Sequence, residues 1–287
     1  MPSSPSNCAP GIAAASRAAD LTSQLEEVWR ELAELGARLD DSNWHTITPC
    51  PGWDVAAQYA HLVGTESMLL GRANPEVEPG KGDHVRNDIG GFNEVWVVAL
   101  SGCPREEVLA QFQEVIAERT KALRAMSEED FTEPSWTPVG KADYRRFMQI
   151  RVFDCWMHEQ DIRDSVGQPG HETGPVAEQS IDEIVRALGF VVGKKAGLPA
   201  DSTVSFRLTG PVHRNLDVAV VEGRARVVPS LDAAPTVSLS LSSGAFTRLA
   251  GGRVEPATVL GGALGGVGME GDRELGEKVV SNFAFTI

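Results

Sequence analysis

Basic residues are scarce in this chain of 287 residues: 26 lysines and arginines stand against 40 aspartates and glutamates, a formal net charge of −14. A surface of that sign repels phosphate backbones and anionic headgroups, which excludes nucleic acid and an anionic membrane as expected partners. Cysteine is sparse too. Cys8, Cys50, Cys103 and Cys155 are scattered, with no C-x-x-C spacing and no dense framework of the kind that staples small secreted folds. A reducing cytoplasm is the expected compartment. No stretch approaches the roughly 20 apolar residues of a membrane helix, and MPSSPSNCAPGIAAASRAA lacks the basic start and continuous apolar core of a signal peptide. Residues 1–17 are expected to be a disordered tail, and no internal repeat is visible. What is present is 42% hydrophobic and 23% charged residues, a globular balance with length enough for two domains. Small molecules and other proteins remain as partners, and the chain is expected to work as a monomer or homodimer.

From Asp20, the spacing of Leu21, Leu25, Val28, Trp29, Leu32, Leu35 and Leu39 predicts an amphipathic first helix. TPCPGW at 48–53 breaks the chain with two prolines and a glycine, and Asp54 is placed to cap a second helix running to about Leu70. That helix carries Val55, Tyr59, Leu62, Val63, Leu69 and Leu70 on one side. On another it carries Ala57, Ala60, His61, Gly64 and Met68, where a neighbour can come close or a cavity can be left. GRANPEVEPGKGDHVRNDIGGFN has no sustained period and is read as a long loop, a candidate lid. A third helix is predicted over about Arg105–Met126, then a loop, EPSWTPVGKAD, then a fourth helix over about Tyr144–Val166.

After a further helix at about Val176–Lys195 the texture changes to short alternating runs. TVSLSLS alternates as a strand with one wet face should. LDVAVVEGRARVV reads as a hairpin turning near Glu222 and Gly223. SSGAFTRLAGG and GDRELGEKVVSNF read as helices on that sheet, with GGALGGVGMEG as a turn between elements. The organisation expected is a helical domain at 18–170, a connecting helix and linker at 171–200 and a small α+β domain at 201–287.

The chemistry-bearing stretch is RVFDCWMHEQDIRD at 151–164. On a helix, Asp154, His158, Asp161 and Ser165 fall within about 60° of one another, on a face that also holds Phe147 and Ile150. Buried without partners, such groups are costly. One resolution is a divalent metal, since Asp-x-x-x-His aims a carboxylate and an imidazole at a common point and His61 can supply a third ligand. The other is an ordinary helix pair contributing about 0.2–0.5 kcal/mol. Spacing alone leaves both open. Cys50 has nothing basic fixed beside it except His45, and such a cysteine usually packs. Glu66 is either a buried partner for a cation or a sign that its stripe meets solvent.

TPCPGWDVAAQYAHLVGTE, HVRNDIGGFNEVWV and RVFDCWMHEQDIRDSVGQPG, in this order, resemble the mycothiol-dependent maleylpyruvate isomerase-like family over the first two-thirds of the chain. The resemblance implies a DinB-like four-helix bundle holding a divalent metal, usually zinc, on a histidine of the GW…AHL segment and a carboxylate-x-x-x-histidine pair. Those positions are His61, Asp154 and His158. The characterised isomerase has glutamate where this chain has Asp154. DVAVVEGRARV, SLSLSSGAFTRLAGGRVEP and GMEGDRELGEKVV look like the appended small α+β domain related to sterol carrier proteins.

The resemblance implies that the metal binds a low-molecular-weight thiol, mycothiol, and lowers its pKa to yield a thiolate near neutral pH. Adding to and leaving a conjugated double bond makes an isomerase, and keeping the adduct makes a transferase. A conjugated acid as substrate needs a cation, for which Arg86, Arg248, Arg253 and Arg273 are candidates. Asp161 and Arg163 are candidates to orient His158. A non-catalytic binding module and a carrier for an apolar molecule are the rival readings.

Overall fold

The computed structural model describes residues 16–286. They divide into two compact units, one from Arg17 to Ser180 and the other from Ile181 to Thr286. The tail expected at 1–17 lies outside the described residues except for Ser16 and Arg17.

The first unit contains α1 (Ala18–Arg38), the single turn α2 (Asp41–Trp44), α3 (Val55–Leu69), α4 (Asp88–Leu100), α5 (Arg105–Ala125) and α6 (Tyr144–Val166). Helices α1, α3, α5 and α6 form the bundle. The predicted α1 stripe, Leu21, Leu25, Val28, Trp29, Leu32 and Leu35, is buried to 1% exposure or less. Burial of that order contributes roughly 1.5–3 kcal/mol per large side chain. The Tyr59 hydroxyl donates to the Leu32 carbonyl at 2.7 Å and the ring stacks on Trp44, so α3 is tied to α1 by one buried polar link. Asp54 and Asp143 cap α3 and α6 by accepting from the amides of Ala57 and Arg146.

Two segments read as loops are structured. In the first, Asn87 accepts from the amide of Gly90 at 2.9 Å, so the Gly-Gly pair falls in the first turn of α4 and does not prevent the helix. α4 packs on the small-residue face of α3, where a Cβ on Gly64 would lie 2.4 Å from the Trp96 ring. The close neighbour that this face implied is therefore α4. In the second, EPSWTPVGKAD folds into a hairpin of β1 (Pro134–Thr137) and β2 (Gly140–Asp143), with Trp136 opposite Lys141. Its short polar and proline-containing strands carry no alternation by which they could be recognised.

The division between the units falls inside α7 (Gly174–Phe190), which runs on into a π-helical turn over Val191–Lys195. The second unit is built on a sheet of β3 (Thr203–Thr209), β4 (Arg214–Val221), β5 (Arg224–Val228), β6 (Val237–Ser242) and β7 (Gly268–Gly271). The order is β5-β4-β3-β6-β7, with β3 and β6 parallel and the other pairs antiparallel. Glu222 and Gly223, both at positive φ, turn β4 into β5 as the sequence predicts. α8 (Ser243–Ala250), α9 (Pro256–Leu260) and α10 (Arg273–Ser281) complete it. Phe206, Phe246 and Phe283 meet at ring separations of 5.1–6.0 Å as its core. The end of the glycine-rich stretch, read as a turn, pairs with β6 as the edge strand β7. The chain is thus an α+β protein with a helical N-terminal unit and a sheet-containing C-terminal one. No helix among the described residues is long and apolar enough to cross a membrane.

Candidate metal centre

The TPCPGW turn is fixed by its own polar groups. The Thr48 hydroxyl donates to the Trp53 carbonyl at 2.8 Å and accepts from the Gln58 amide at 2.7 Å. Gly52, at φ +82, is required twice over: by its backbone, and because a Cβ there would meet the His84 ring at 2.3 Å. The turn delivers Trp53 onto two imidazoles at once. Its ring lies 5.1 Å from that of His61 on α3 and 5.7 Å from that of His158 on α6. The two imidazoles are 4.6 Å apart.

Asp154, one turn before His158, lies between them. His61 Nε2 is 3.1 Å from Asp154 Oδ2, and His158 Nε2 is 3.6 Å from Asp154 Oδ1. One ligand atom from each residue falls within 4.8 Å of the others. Both histidines are at most 5% exposed, whereas the Asp154 side chain is 31% exposed. Behind the site, His158 Nδ1 faces the buried Asp161 carboxylate at 3.7 Å.

Burial holds the His61 imidazole down at about 4, against the pull of Asp154, so it is neutral at neutral pH. Burial opposes charge on His158 as well, but Asp154, with Asp161 behind it, outweighs that and raises its proton affinity. The Asp154 carboxyl is held well below its usual range in spite of burial, chiefly by Arg151 and then by the two imidazoles. Two imidazoles, one of them held neutral by burial, and an ionised carboxylate form a donor set that fits a divalent ion.

Arg151, which the sequence reading did not single out, is the cation at the site. It donates to Asp154 and, through Nη2 at 2.7 Å, to Glu66, which also accepts from Arg119 at 2.8 Å. Glu66 is fully buried and is therefore the cation partner, not a solvent-facing residue. The i, i+3 spacing of Arg151 and Asp154 was the available signal. Glu94 was also missed. It accepts from Trp53 Nε1 at 2.7 Å and faces His84 Nε2 at 2.8 Å. Nothing in the sequence links three residues so far apart.

An almost wholly apolar cavity of about 270 Å³ opens beside the cluster, lined by His61, Asp154 and Arg151 together with Phe92, Trp136, Phe147 and Ile150. Phe147 and Ile150 thus occupy the face predicted for them. Ser165 does not join the cluster and donates to the Ile162 carbonyl. Arg163 binds Glu159 at 2.6 Å and Glu31 at 3.0 Å instead of orienting His158. Cys50 offers its sulfur within 4.8 Å of His158 and Asp161, while His45 pairs with Asp54. Cys155 is buried beside Arg151, and burial pushes its thiol up to about 12. Arg86 is exposed and does not line the cavity. Arg248 and Arg253 donate to carbonyls of Gly244 and Gly251 within the second unit, and Arg273 pairs with Glu277 on α10.

No curated protein sequence matches the chain. Among solved structures it is similar to the mycothiol-dependent maleylpyruvate isomerase, at 15% identity and a TM-score of 0.57, covering 89% of this chain and 93% of that one. A histidine-to-alanine mutant of that isomerase matches with the same identity and coverage at a TM-score of 0.56. At this identity the likeness is one of fold. Residues 25–163 match the model of the mycothiol maleylpyruvate isomerase N-terminal domain, and residues 178–278 match that of the MDMPI C-terminal domain. With one model on the helical part and the other on the sheet-containing part, the chain belongs to the mycothiol-dependent maleylpyruvate isomerase-like family.

Proposed function

We propose that this chain is a metal-dependent enzyme that uses a low-molecular-weight thiol of the mycothiol type on a small electrophile, as an isomerase or an S-transferase. The observation that carries the reading is the convergence of His61, Asp154 and His158, from two helices of the bundle, beside an apolar cavity that His61 and Asp154 line. These three residues would hold the ion, and zinc suits two imidazoles and a carboxylate with positions left open. When bound, such an ion lowers the pKa of a thiol and makes thiolate available near neutral pH.

The chain's own residues prepare the rest. Arg151 keeps Asp154 ionised, and burial keeps His61 neutral, the form in which an imidazole can serve as a ligand. Asp161 faces the outer nitrogen of His158, and Trp53, held by Glu94, covers both rings. The apolar walls keep water from the reacting carbon and orient the electrophile toward the histidine end.

The test is metal analysis of the full-length protein beside His61→Ala and His158→Ala, followed by mycothiol consumption with a panel of electrophiles. One equivalent in the parent, lost in each variant, together with metal-dependent thiol consumption, is the expected result. Protein that takes up no zinc at saturating concentration sinks the reading. Full occupancy without turnover across the panel identifies a binding module instead.

A further inference from the structure

The charge arrangement of the cavity has a bearing on what enters it. Among the described residues Arg151 is the one basic side chain in its wall apart from His61, and it is already committed. Its guanidinium donates to Asp154, to a single Glu66 oxygen through Nε at 3.1 Å and Nη2 at 2.7 Å, and to the Cys155 sulfur at 3.2 Å. The other charged wall residues, Asp88 and Asp154, are carboxylates. Away from the ion proposed on His61, Asp154 and His158, a carboxylate entering here would lose its hydration, face Asp88 and find no uncommitted cation among the described wall residues. The remaining surface is aromatic and aliphatic. Trp136 and Phe147 meet edge to face at 6.4 Å, with Phe92, Met68, Ile89 and Ile150 completing the walls. A volume of about 270 Å³ accommodates one ring with a short chain.

We propose that the substrate of this site is an uncharged, aromatic-ended electrophile whose ring packs in the cavity against Trp136 and Phe147 and whose reactive carbon lies toward His61 and Asp154. The inference deepens the enzymatic reading above and rests on it for the word electrophile. The ring preference rests on the cavity alone. It departs from the expectation of a conjugated acid held by arginine. Trp136 is the specificity-determining residue: it is 58% exposed, on a hairpin outside the bundle, so its ring can be removed without opening the core.

The test is calorimetric titration of the full-length protein with benzylacetone, a neutral unreactive ketone, and with its ring para-carboxylate. Benzylacetone is expected to bind at least about thirtyfold more tightly than the carboxylate. Trp136→Ala should weaken benzylacetone by about three- to tenfold, and Phe92→Ala should act in the same direction. Asp88→Asn should strengthen the carboxylate. Equal or tighter binding of the carboxylate overturns the proposal, as does failure of benzylacetone to saturate the folded parent protein. The metal analysis is read separately. Absence of metal with intact benzylacetone binding sinks the enzyme and leaves the ligand class standing, whereas the opposite pattern keeps the enzyme and removes this substrate.

Discussion

Arg151 donates to the Asp154 oxygen that also faces His61 Nε2, so one carboxylate oxygen is shared by a buried guanidinium and a buried imidazole. The same arginine, with Arg119, neutralises Glu66 at zero exposure. Removing one partner of such a group leaves a charge stranded in a low-dielectric interior. Arg151→Met should therefore destabilise the protein by about 3–5 kcal/mol, read as a lower urea midpoint. An unchanged midpoint would show that Arg119 alone satisfies Glu66.

Glu94 holds Trp53 and His84 with one oxygen and is nearly buried. Without it the indole is no longer fixed against the two imidazoles. Glu94→Ala should lower the affinity of the proposed site for zinc by about ten- to a hundredfold in a competition with a chelator of known affinity. Glu94→Gln, which can still accept from the indole, should recover most of the loss.

Gly64 is the point of closest approach between α3 and α4. A methyl group there has to displace the indole of Trp96, which is 9% exposed and donates to Asn74 at 3.3 Å. Gly64→Ala should cost about 1–3 kcal/mol, despite the better helix propensity of alanine, with early loss of α4 in hydrogen exchange.

His171 titrates inside a set of acids. Its Nδ1 is 2.7 Å from Glu159, its Nε2 is 3.5 Å from Glu27, Glu31 lies nearby, and Arg163 binds both Glu159 and Glu31. Burial opposes its charge, but Glu159 foremost, with Glu31 and Glu27, raises its proton affinity above the ordinary histidine value. A raised folded value means that its contribution is fully present below the unfolded pKa and is lost as pH rises through the folded one. His171→Asn, which tolerates the residue's φ of +54, should cost about 1.5–3 kcal/mol at about pH 6. The gap between variant and parent should narrow as pH rises through the raised value. A gap independent of pH would show that the imidazole acts there by packing.

The helices of the bundle were legible because each carries its own period and caps. Leu21 to Leu35 recur on one stripe of α1, Asp54 and Asp143 mark two starts, and the α6 span follows from Tyr144 to the glycine after Val166. The pairing of Asp154 with His158 was legible for the same reason, being set by the pitch of one helix. α4 was not, because Gly90 and Gly91 mask a cap whose signal is a single asparagine. The Trp53–Glu94–His84 link was not legible either, since it joins a turn, a helix and a loop through tertiary geometry alone. Arg151 reads on paper as an ordinary exposed helix charge. Only the approach of α3, bringing Glu66, buries it as the cation beside Asp154.

α6 is pinned on two flanks. Arg151 and Asp154 engage α3 through Glu66 and His61, and Glu159 and Arg163 engage α1 and the His171 segment through Glu31 and His171. A helix keyed in this way can neither roll nor slide by a residue without breaking both sets of contacts. Divergence within such a scaffold has its freedom elsewhere. Trp136 on the β1–β2 hairpin and Phe92 on α4 reach the cavity from elements that bear none of these locks. The frame that holds the histidines and part of the cavity wall thus lie on different elements, and Trp136 and Phe92 can be substituted while the frame is kept.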